Sequence, residues 1–348
     1  MGEDRRRRRG IIAPLIAHIL PVDPWDWFGR RTFHHSAFAD PVALARAKDE
    51  RGARVSVCLP TRNEAETVGA IVRCICEELA QAVPLVDEIV VVDSASTDGT
   101  ARAASEAGAL VYQDAEILPA LDPLGGKGDA LWKSLFVLEG DLIVFVDADI
   151  REFHPRFVTG LLGPLLLVPG TEYVKAFYER PIDNGESVEP TGGGRVTELL
   201  ARPLLNLFFP ELAALIQPLA GEYAGTREAL ASVPFISGYG VELGLLVDVV
   251  DQRGLDALAQ VDLDRRIHRN HTMHELARMA FEVLQAGLLR LESLGRVEVR
   301  AELHRTLNQF QNLGEGYRPE PTSIEIGERP PAASRPEYRA SARQTVLP

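Results

Sequence analysis

The 348-residue sequence predicts an α/β fold with a mainly parallel sheet flanked by helices, and three observations carry that expectation. From Arg54 onward, short apolar runs alternate with longer helical segments. The runs are apolar and unpatterned rather than alternating, as befits strands covered on both faces. Each also ends in polar or acidic residues, on the side where open parallel sheets bind their ligands.

Taken in order, "RVSVCLP" (54–60) reads as a strand and "EAETVGAIVRCICEELAQA" (64–82) as an amphipathic helix. "DEIVVVD" (87–93) is a strand, "TDGTARAASEAG" (97–108) a helix that Gly108 stops, and "ALVYQ" (109–113) a strand. "GDALWKSLFVLEG" (128–140) is a helix ended by Gly140, and "DLIVFVDADI" (141–150) is the next strand. The second half is less regular. "GGGRVTELLARPLLNLFFPEL" (192–212) and "GYGVELGLLVDVVDQRG" (238–254) each read as a glycine turn leading into a helix. "MHELARMAFEVLQAGLLRLESL" (273–294) has helical apolar spacing and reads as a packing or dimer helix. Beyond Tyr317, prolines and charges accumulate, and 317–348 is expected to be a mobile tail.

Residues 1–50 read as an N-terminal extension. Arg5 to Arg9 precede a short apolar run that imitates a signal peptide, but Pro14 and His18 interrupt it and no small-residue cleavage site follows. Its first part, "MGEDRRRRRGIIAPLIAHILP" (1–21), is read as a solvated arm lying on the body or on a membrane surface. No stretch approaches the ~18 apolar residues of a spanning helix. Cys58, Cys74 and Cys76 have no framework or zinc spacing and read as small core hydrophobes in a reducing cytoplasm. The formal net charge of -13 argues against nucleic-acid binding through a basic face. It also means that anionic substrates would need local cations or a metal.

Four constellations could carry chemistry. Asp147 and Asp149 end an apolar strand, where buried carboxylates are costly unless paired or metal-bound. Hard oxygen donors of this kind suit Mg²⁺ or Mn²⁺ held together with substrate phosphates. "GGKGD" (125–129) combines glycines, a helix start and Lys127, a candidate phosphate cradle that lacks the Walker pattern. "GGGRVTE" (192–198) repeats the logic with Arg195 and Thr197, giving a second, separate anion pocket. "RRIHRN" (265–270) places two arginines, His268 and Asn270 within six residues. His268 could complete a metal site with Asp149.

These segments, together with "LPTRNEAETVG", "VVDSASTDGT", "QPLAGEYAGTRE" and "AQVDLDRRIHRN", occur in an order that resembles the glucosyl-3-phosphoglycerate and mannosyl-3-phosphoglycerate synthases. The resemblance covers about residues 50 to 280. It implies a retaining glycosyltransferase with a GT-A fold, a Rossmann-like sheet with a smaller acceptor-binding part. It divides the chain into a nucleotide-sugar half (51–150), an acceptor half (151–275) and a C-terminal helical segment (276–316). The implied reaction moves a hexose from a nucleotide diphosphate sugar (GDP-mannose, GDP-glucose or UDP-glucose) to the 2-hydroxyl of 3-phosphoglycerate. It needs Mg²⁺ or Mn²⁺ and takes place in a cytoplasmic homodimer.

By the same resemblance, Pro60, Thr61, Arg62, Glu64 and Ser94 would hold the nucleoside, with Asp147 and Ala148 beside the ribose. Lys127 and Arg266 would contact the diphosphate and assist catalysis, and Asp149 with His268 would bind the metal. Gly194, Arg195, Val196, Thr197 and Asn270 would grip phosphoglycerate. Tyr239 and Glu242 would lie near the donor sugar, Glu242 being also a candidate nucleophile. One departure is "PTRNE" where glucosyl members carry Pro-Ala-Leu-Asn-Glu, which loosens the expectation of uridine and admits guanine. Two other readings compete: an inverting glycosyltransferase acting on a polyprenyl phosphate, and a non-catalytic nucleotide-sugar-binding protein.

Overall fold

The apolar runs form an eight-stranded sheet in the computed structural model, which describes residues 22–183, 188–189, 193–267 and 272–338. Across the sheet the strands lie in the order Thr32–His34, Leu258–Arg265, Tyr173–Glu179, Tyr223–Thr226, Leu142–Phe145, Val55–Thr61, Glu88–Asp93, Leu110–Gln113. Only Tyr223–Thr226 runs antiparallel to its neighbours. Within single strands, successive residues enter opposite cores. Val55, Val57 and Leu59 face a layer that contains Ile71, Ala104 and Leu161, whereas Cys58 faces a layer with Leu131, Leu243 and Val283. Both faces are therefore apolar, which is why these strands show no alternation in sequence.

The chain runs outward from Val55–Thr61 through Glu88–Asp93 to Leu110–Gln113, then returns to place Leu142–Phe145 on the other side of Val55–Thr61. Such a reversal opens a crevice beyond the carboxyl ends of the two central strands. Thr61 and Asp147 stand at that crevice.

Several elements depart from expectation. The helix expected over 64–82 begins at Val68 and closes with a π-helical turn, Cys76–Gln81. Residues 22–50 of the N-terminal extension are part of the sheet and its cover: Trp27 is fully buried, and its indole Nε1 donates to the Leu258 carbonyl at 3.0 Å. The strand Thr32–His34 forms the sheet's edge, paired in parallel with Gln260–Asp262. Residues 1–21 lie outside the described residues.

The expected mobile tail is ordered over much of its length. Tyr317–Ser323 pairs with Thr306–Asn312 in a hairpin, and Glu328–Arg329 pairs with Phe235–Ile236. The Arg329 guanidinium reaches buried Asp129 at 2.7 Å, Trp132 Nε1 donates to the Pro330 carbonyl at 2.7 Å, and Ala332 is fully buried. The charge that suggested solvent is consumed internally by an opposite charge. The three cysteines are free, and no helix among the described residues is long and apolar enough to cross a membrane.

Candidate active site

The crevice is a cavity of about 490 Å³ lined from both halves of the chain. One wall begins where the strand Leu142–Phe145 gives way to Asp147, Ala148 and Asp149. Opposite stands Lys127, in the first turn of the helix Gly126–Ser134. That helix start needs glycine at 126, whose φ is +76° and whose added Cβ would come within 2.9 Å of the Gly238 backbone. The two loops are thereby closed on each other over the cavity.

A chain of charges runs across the floor. Lys127 Nζ lies 2.5 Å from Asp147 Oδ1 and 2.8 Å from Glu242 Oε1. Arg266, just past the strand Leu258–Arg265, places Nη2 3.1 Å from Asp147 Oδ2 and 2.6 Å from Asp149 Oδ1. Its Nε approaches Glu222 Oε1 at 3.2 Å. The Tyr178 hydroxyl donates to Glu222 at 2.6 Å and accepts from Arg180 and Arg266 at 2.9 and 3.1 Å. Burial alone would raise the Asp147 carboxyl, but Lys127 and Arg266 hold it well below the usual carboxylate range. Burial would lower the Lys127 ammonium, yet Asp147 and Glu242 hold it above its ordinary value. Glu222 is raised by its complete burial, against the pull of Arg266. Lysine 127 and arginine 266 are thus fixed cations in a partly dry site.

All the described residues singled out in the sequence line this one cavity: Pro60, Thr61, Arg62, Glu64 and Ser94 at the first-strand side, and Gly194, Arg195, Val196 and Thr197 on the second half. Lys127, Asp147, Ala148, Asp149, Tyr239, Glu242 and Arg266 line it between them. His268 and Asn270 lie outside the described residues. The two expected anion pockets are one continuous space, so the segments 125–129 and 192–198 face a shared volume rather than separate ones. Thr61 also differs from expectation. It is buried and its hydroxyl is 3.2 Å from Asp93 Oδ1, so the exposed polar side chains of that loop are Arg62 and Asn63, of which Arg62 lines the cavity. Asp147 has both oxygens engaged by cations.

Other lining residues were missed. Arg180 follows the strand Tyr173–Glu179, and Gly221 adjoins Glu222 within "GEYAGT". Leu276, Met279, Glu282 and Val283 come from the helix Met273–Ser293, read above only as a packing or dimer helix. Glu282 accepts from the Tyr239 backbone N–H at 2.7 Å and so ties that helix to the cavity rim. A carboxylate on an amphipathic helix carries no local signal of such a role, whereas the four-glycine spacing around Tyr239 and Gly221 was a usable hint of close packing.

Residues 56–169, which include the acidic strand end and the glycine-rich helix start with its lysine, match the glycosyl transferase family 2 model, and the protein is a glycosyltransferase with a GT-A fold. It is 47% identical over 310 residues to the glucosyl-3-phosphoglycerate synthase of Petrotoga mobilis, covering 89% of this chain and 95% of that one. The Mycolicibacterium smegmatis enzyme of the same name is 48% identical over 280 residues, covering 80% and 89%. The chain belongs to the glucosyl-3-phosphoglycerate synthase family. Among solved structures, mannosyl-3-phosphoglycerate synthase from Rubrobacter xylanophilus superposes with a TM-score of 0.82 at 42% identity, covering 91% of this chain and 99% of that one. Glucosyl-3-phosphoglycerate synthase from Mycobacterium tuberculosis, in complex with Mn²⁺, UDP and phosphoglyceric acid, has a TM-score of 0.77 at 40% identity, covering 87% and 98%.

Proposed function

We propose that the protein transfers glucose or mannose from a nucleotide diphosphate sugar to the 2-hydroxyl of 3-phosphoglycerate, with retention at the anomeric carbon. The observation that carries the reading is the single cavity in which the Asp147–Asp149 strand end and the Gly194–Thr197 segment face the same volume. A donor diphosphate and an acidic acceptor that must meet need such a shared space.

In this reading Pro60, Thr61, Arg62, Glu64 and Ser94 hold the nucleoside and Ala148 adjoins the ribose. Lys127 and Arg266 neutralise charge gathering on the leaving diphosphate. Gly194, Arg195, Val196, Thr197 and Asn270 hold phosphoglycerate. Asp149 and His268 hold a divalent ion. The described part of that donor set fits Mg²⁺ or Mn²⁺ in that the Asp149 carboxylate is a hard oxygen donor lining the cavity, its Oδ1 held by Arg266 at 2.6 Å and to be shared with an ion. When bound, such an ion supplies further charge neutralisation at the leaving phosphates. The donor's base and sugar fall among GDP-mannose, GDP-glucose and UDP-glucose, with exposed Arg62 favouring a base that offers acceptors.

Glu242 is engaged by Lys127 and its side chain is only 5% exposed, so it supports sugar positioning more than nucleophilic attack. Attack from the same face as departure, with the leaving phosphate oxygen taking the acceptor proton, needs no protein nucleophile. The free cysteines support a reducing cytoplasm. Phe310, Leu313 and Tyr317 are exposed on a two-stranded hairpin that would be marginal alone, which supports a homodimer, checked by light scattering.

The test is an assay of the three NDP-sugars with 3-phosphoglycerate and, separately, with a polyprenyl phosphate, each with Mg²⁺ or Mn²⁺. Nucleotide diphosphate release with phosphoglycerate is expected, together with its loss in Asp149→Ala at unchanged thermal stability. Transfer to the lipid phosphate alone, or saturable donor binding with no turnover, overturns the reading.

A further inference from the structure

At the sheet edge, away from the charge chain of the cavity, three ligating side chains converge. His34 Nε2 lies 2.8 Å from Asp264 Oδ1, and His35 Nε2 lies 2.6 Å from Asp264 Oδ2. One ligand atom from each residue falls within 4.8 Å of the others. We propose that His34, His35 and Asp264 form a second divalent-metal site, suited to Zn²⁺ and distinct in chemistry from the oxygen donor at Asp149.

The backbone is built to bring these groups together. The strand Thr32–His34 pairs in parallel with Gln260–Asp262, and the register shifts between Asp262 and Arg265. At that bulge Asp264 has φ +64°, a conformation uncommon for a residue with a side chain. Its backbone N–H is held by Asp262 Oδ1 at 2.9 Å, and the bulge turns the Asp264 carboxylate toward the neighbouring strand rather than along the pleat. On the other side, His35 opens the 3-10 turn His35–Phe38, whose Phe38 is buried against the helix Arg156–Leu167 at Gly163. Consecutive histidines in an extended strand would point apart. The turn at His35 instead brings the two rings to 4.4 Å between centroids.

The donor set selects the metal. Two imidazole nitrogens and one carboxylate, with a fourth position open to solvent, match the ligand types of three-ligand Zn²⁺ sites, whereas Mg²⁺ prefers oxygen. His34 Nδ1 accepts from the Ser36 backbone N–H at 3.2 Å and lies 2.7 Å from Ser36 Oγ, so ligation through Nε2 requires the ring proton to move to Nδ1, where that hydroxyl can accept it. Around a tetrahedral ion with bonds of ~2.0 Å, ligand atoms sit roughly 3.3 Å apart, so the pairs at 2.6 and 2.8 Å must open slightly. The side chains of His34 and Asp264 are about half exposed and can move that far. Arg266 follows Asp264 by two residues, so the ion would brace the bulge just ahead of the arginine that enters the cavity.

The full chain, stripped with chelator, is titrated with Co²⁺ as an optical probe and with Zn²⁺ against a chromophoric chelator. The expected result is one tetrahedral Co²⁺ spectrum per chain, displaced by Zn²⁺. Asp149→Ala should retain it, whereas His35→Ala and Asp264→Asn should each weaken Zn²⁺ binding by roughly tenfold or more. Asparagine keeps the shape of Asp264 and tolerates positive φ, so its metal-free melting temperature should match that of the parent. Absence of the tetrahedral spectrum overturns the proposal. So does equal Zn²⁺ affinity in the parent and Asp264→Asn, or loss of the spectrum in Asp149→Ala alone. None of these outcomes depends on turnover, so failure here is distinguishable from failure of the transferase reading.

Discussion

Arg195 and Lys127 line one cavity from different halves of the chain, and their substitutions should divide its substrates. A charge-assisted hydrogen bond of this type contributes roughly 1.5–3 kcal/mol. Arg195→Ala should therefore lower kcat/KM for phosphoglycerate about ten- to a hundredfold. Calorimetric affinity for the nucleotide sugar alone should stay nearly constant in that variant. Lys127→Ala should weaken the donor first, because Lys127 belongs to the glycine-rich helix start beside Asp147. Equal loss of both substrates in the Arg195 variant would dismiss this division. Gly221 offers a sharper probe. An added Cβ there would lie 2.1 Å from Asp147 Oδ2 and 2.6 Å from Lys127 Nζ. Both contacts are side-chain tips that can yield, so Gly221→Ala should fold normally while displacing the ion pair. A loss in kcat/KM of up to about a hundredfold is expected, with the melting temperature nearly unchanged. A variant that melts early but turns over normally would contradict that account.

At the scale of elements, the helix Gly126–Ser134 is held from behind by the C-terminal segment. Arg329 pairs with Asp129, which is fully buried, and donates to the Asp122 carbonyl at 2.6 Å. Asp129 retains only Lys133 at 3.5 Å and the Gly125 N–H once that arginine is gone. Arg329→Ala should cost about 3 kcal/mol in urea unfolding, the scale for breaking a buried pair. It should also raise KM for the donor, since Lys127 rides on the same helix. An unchanged unfolding midpoint would show that the segment merely rests on the surface. The parallel strands were legible because Ile89–Val92 and Leu142–Phe145 are continuously apolar and Val55–Leu59 is broken only by Ser56. The strap 328–332 was not, because a proline-rich, charged stretch looks the same whether its arginine meets water or a buried aspartate. Likewise "TFH" at 32–34 is too short to read as a strand without its partner. In the cavity, glycine-flanked Lys127 and Arg195 were visible in sequence, whereas Glu282 and Arg180 acquire their places only through tertiary packing.

For the whole molecule, the cost of a buried cation should appear in its pH dependence. Lys175 is 1% exposed, its Nζ lies 4.6 Å from the centroid of the Tyr223 ring, and it makes no hydrogen bond to a described residue. Burial lowers its pKa from 10.5 to about 7, against the pull of Glu242. Between those values the unfolded chain holds a proton that the folded chain has released. Stability contributed by this group therefore rises as pH goes from about 7 toward 10.5, and the penalty is fully present below 7. Lys175→Met should be more stable than the parent at neutral pH, by a margin on the order of 4 kcal/mol. That margin should shrink with rising pH when unfolding midpoints are compared. A margin independent of pH would assign the effect to packing alone.

The edge strand has a bearing on how the chain is made. Thr32–His34 is synthesised ahead of the central strands, yet its sheet neighbour among the described residues, Leu258–Arg265, lies more than two hundred residues downstream. Trp27 is likewise separated from its Leu258 partner by 231 positions. A ribosome adding about 5–20 residues per second leaves that strand and its indole without their partners for tens of seconds. The central strands Val55–Thr61, Glu88–Asp93 and Leu142–Phe145 all emerge within that interval and can pair with each other. The part of the cavity built on those strands can thus be assembled on the nascent chain, while Arg266 joins it only after the late strand has docked against the early one. Vectorial synthesis therefore makes a strand synthesised before the central ones the last to find its place in the sheet.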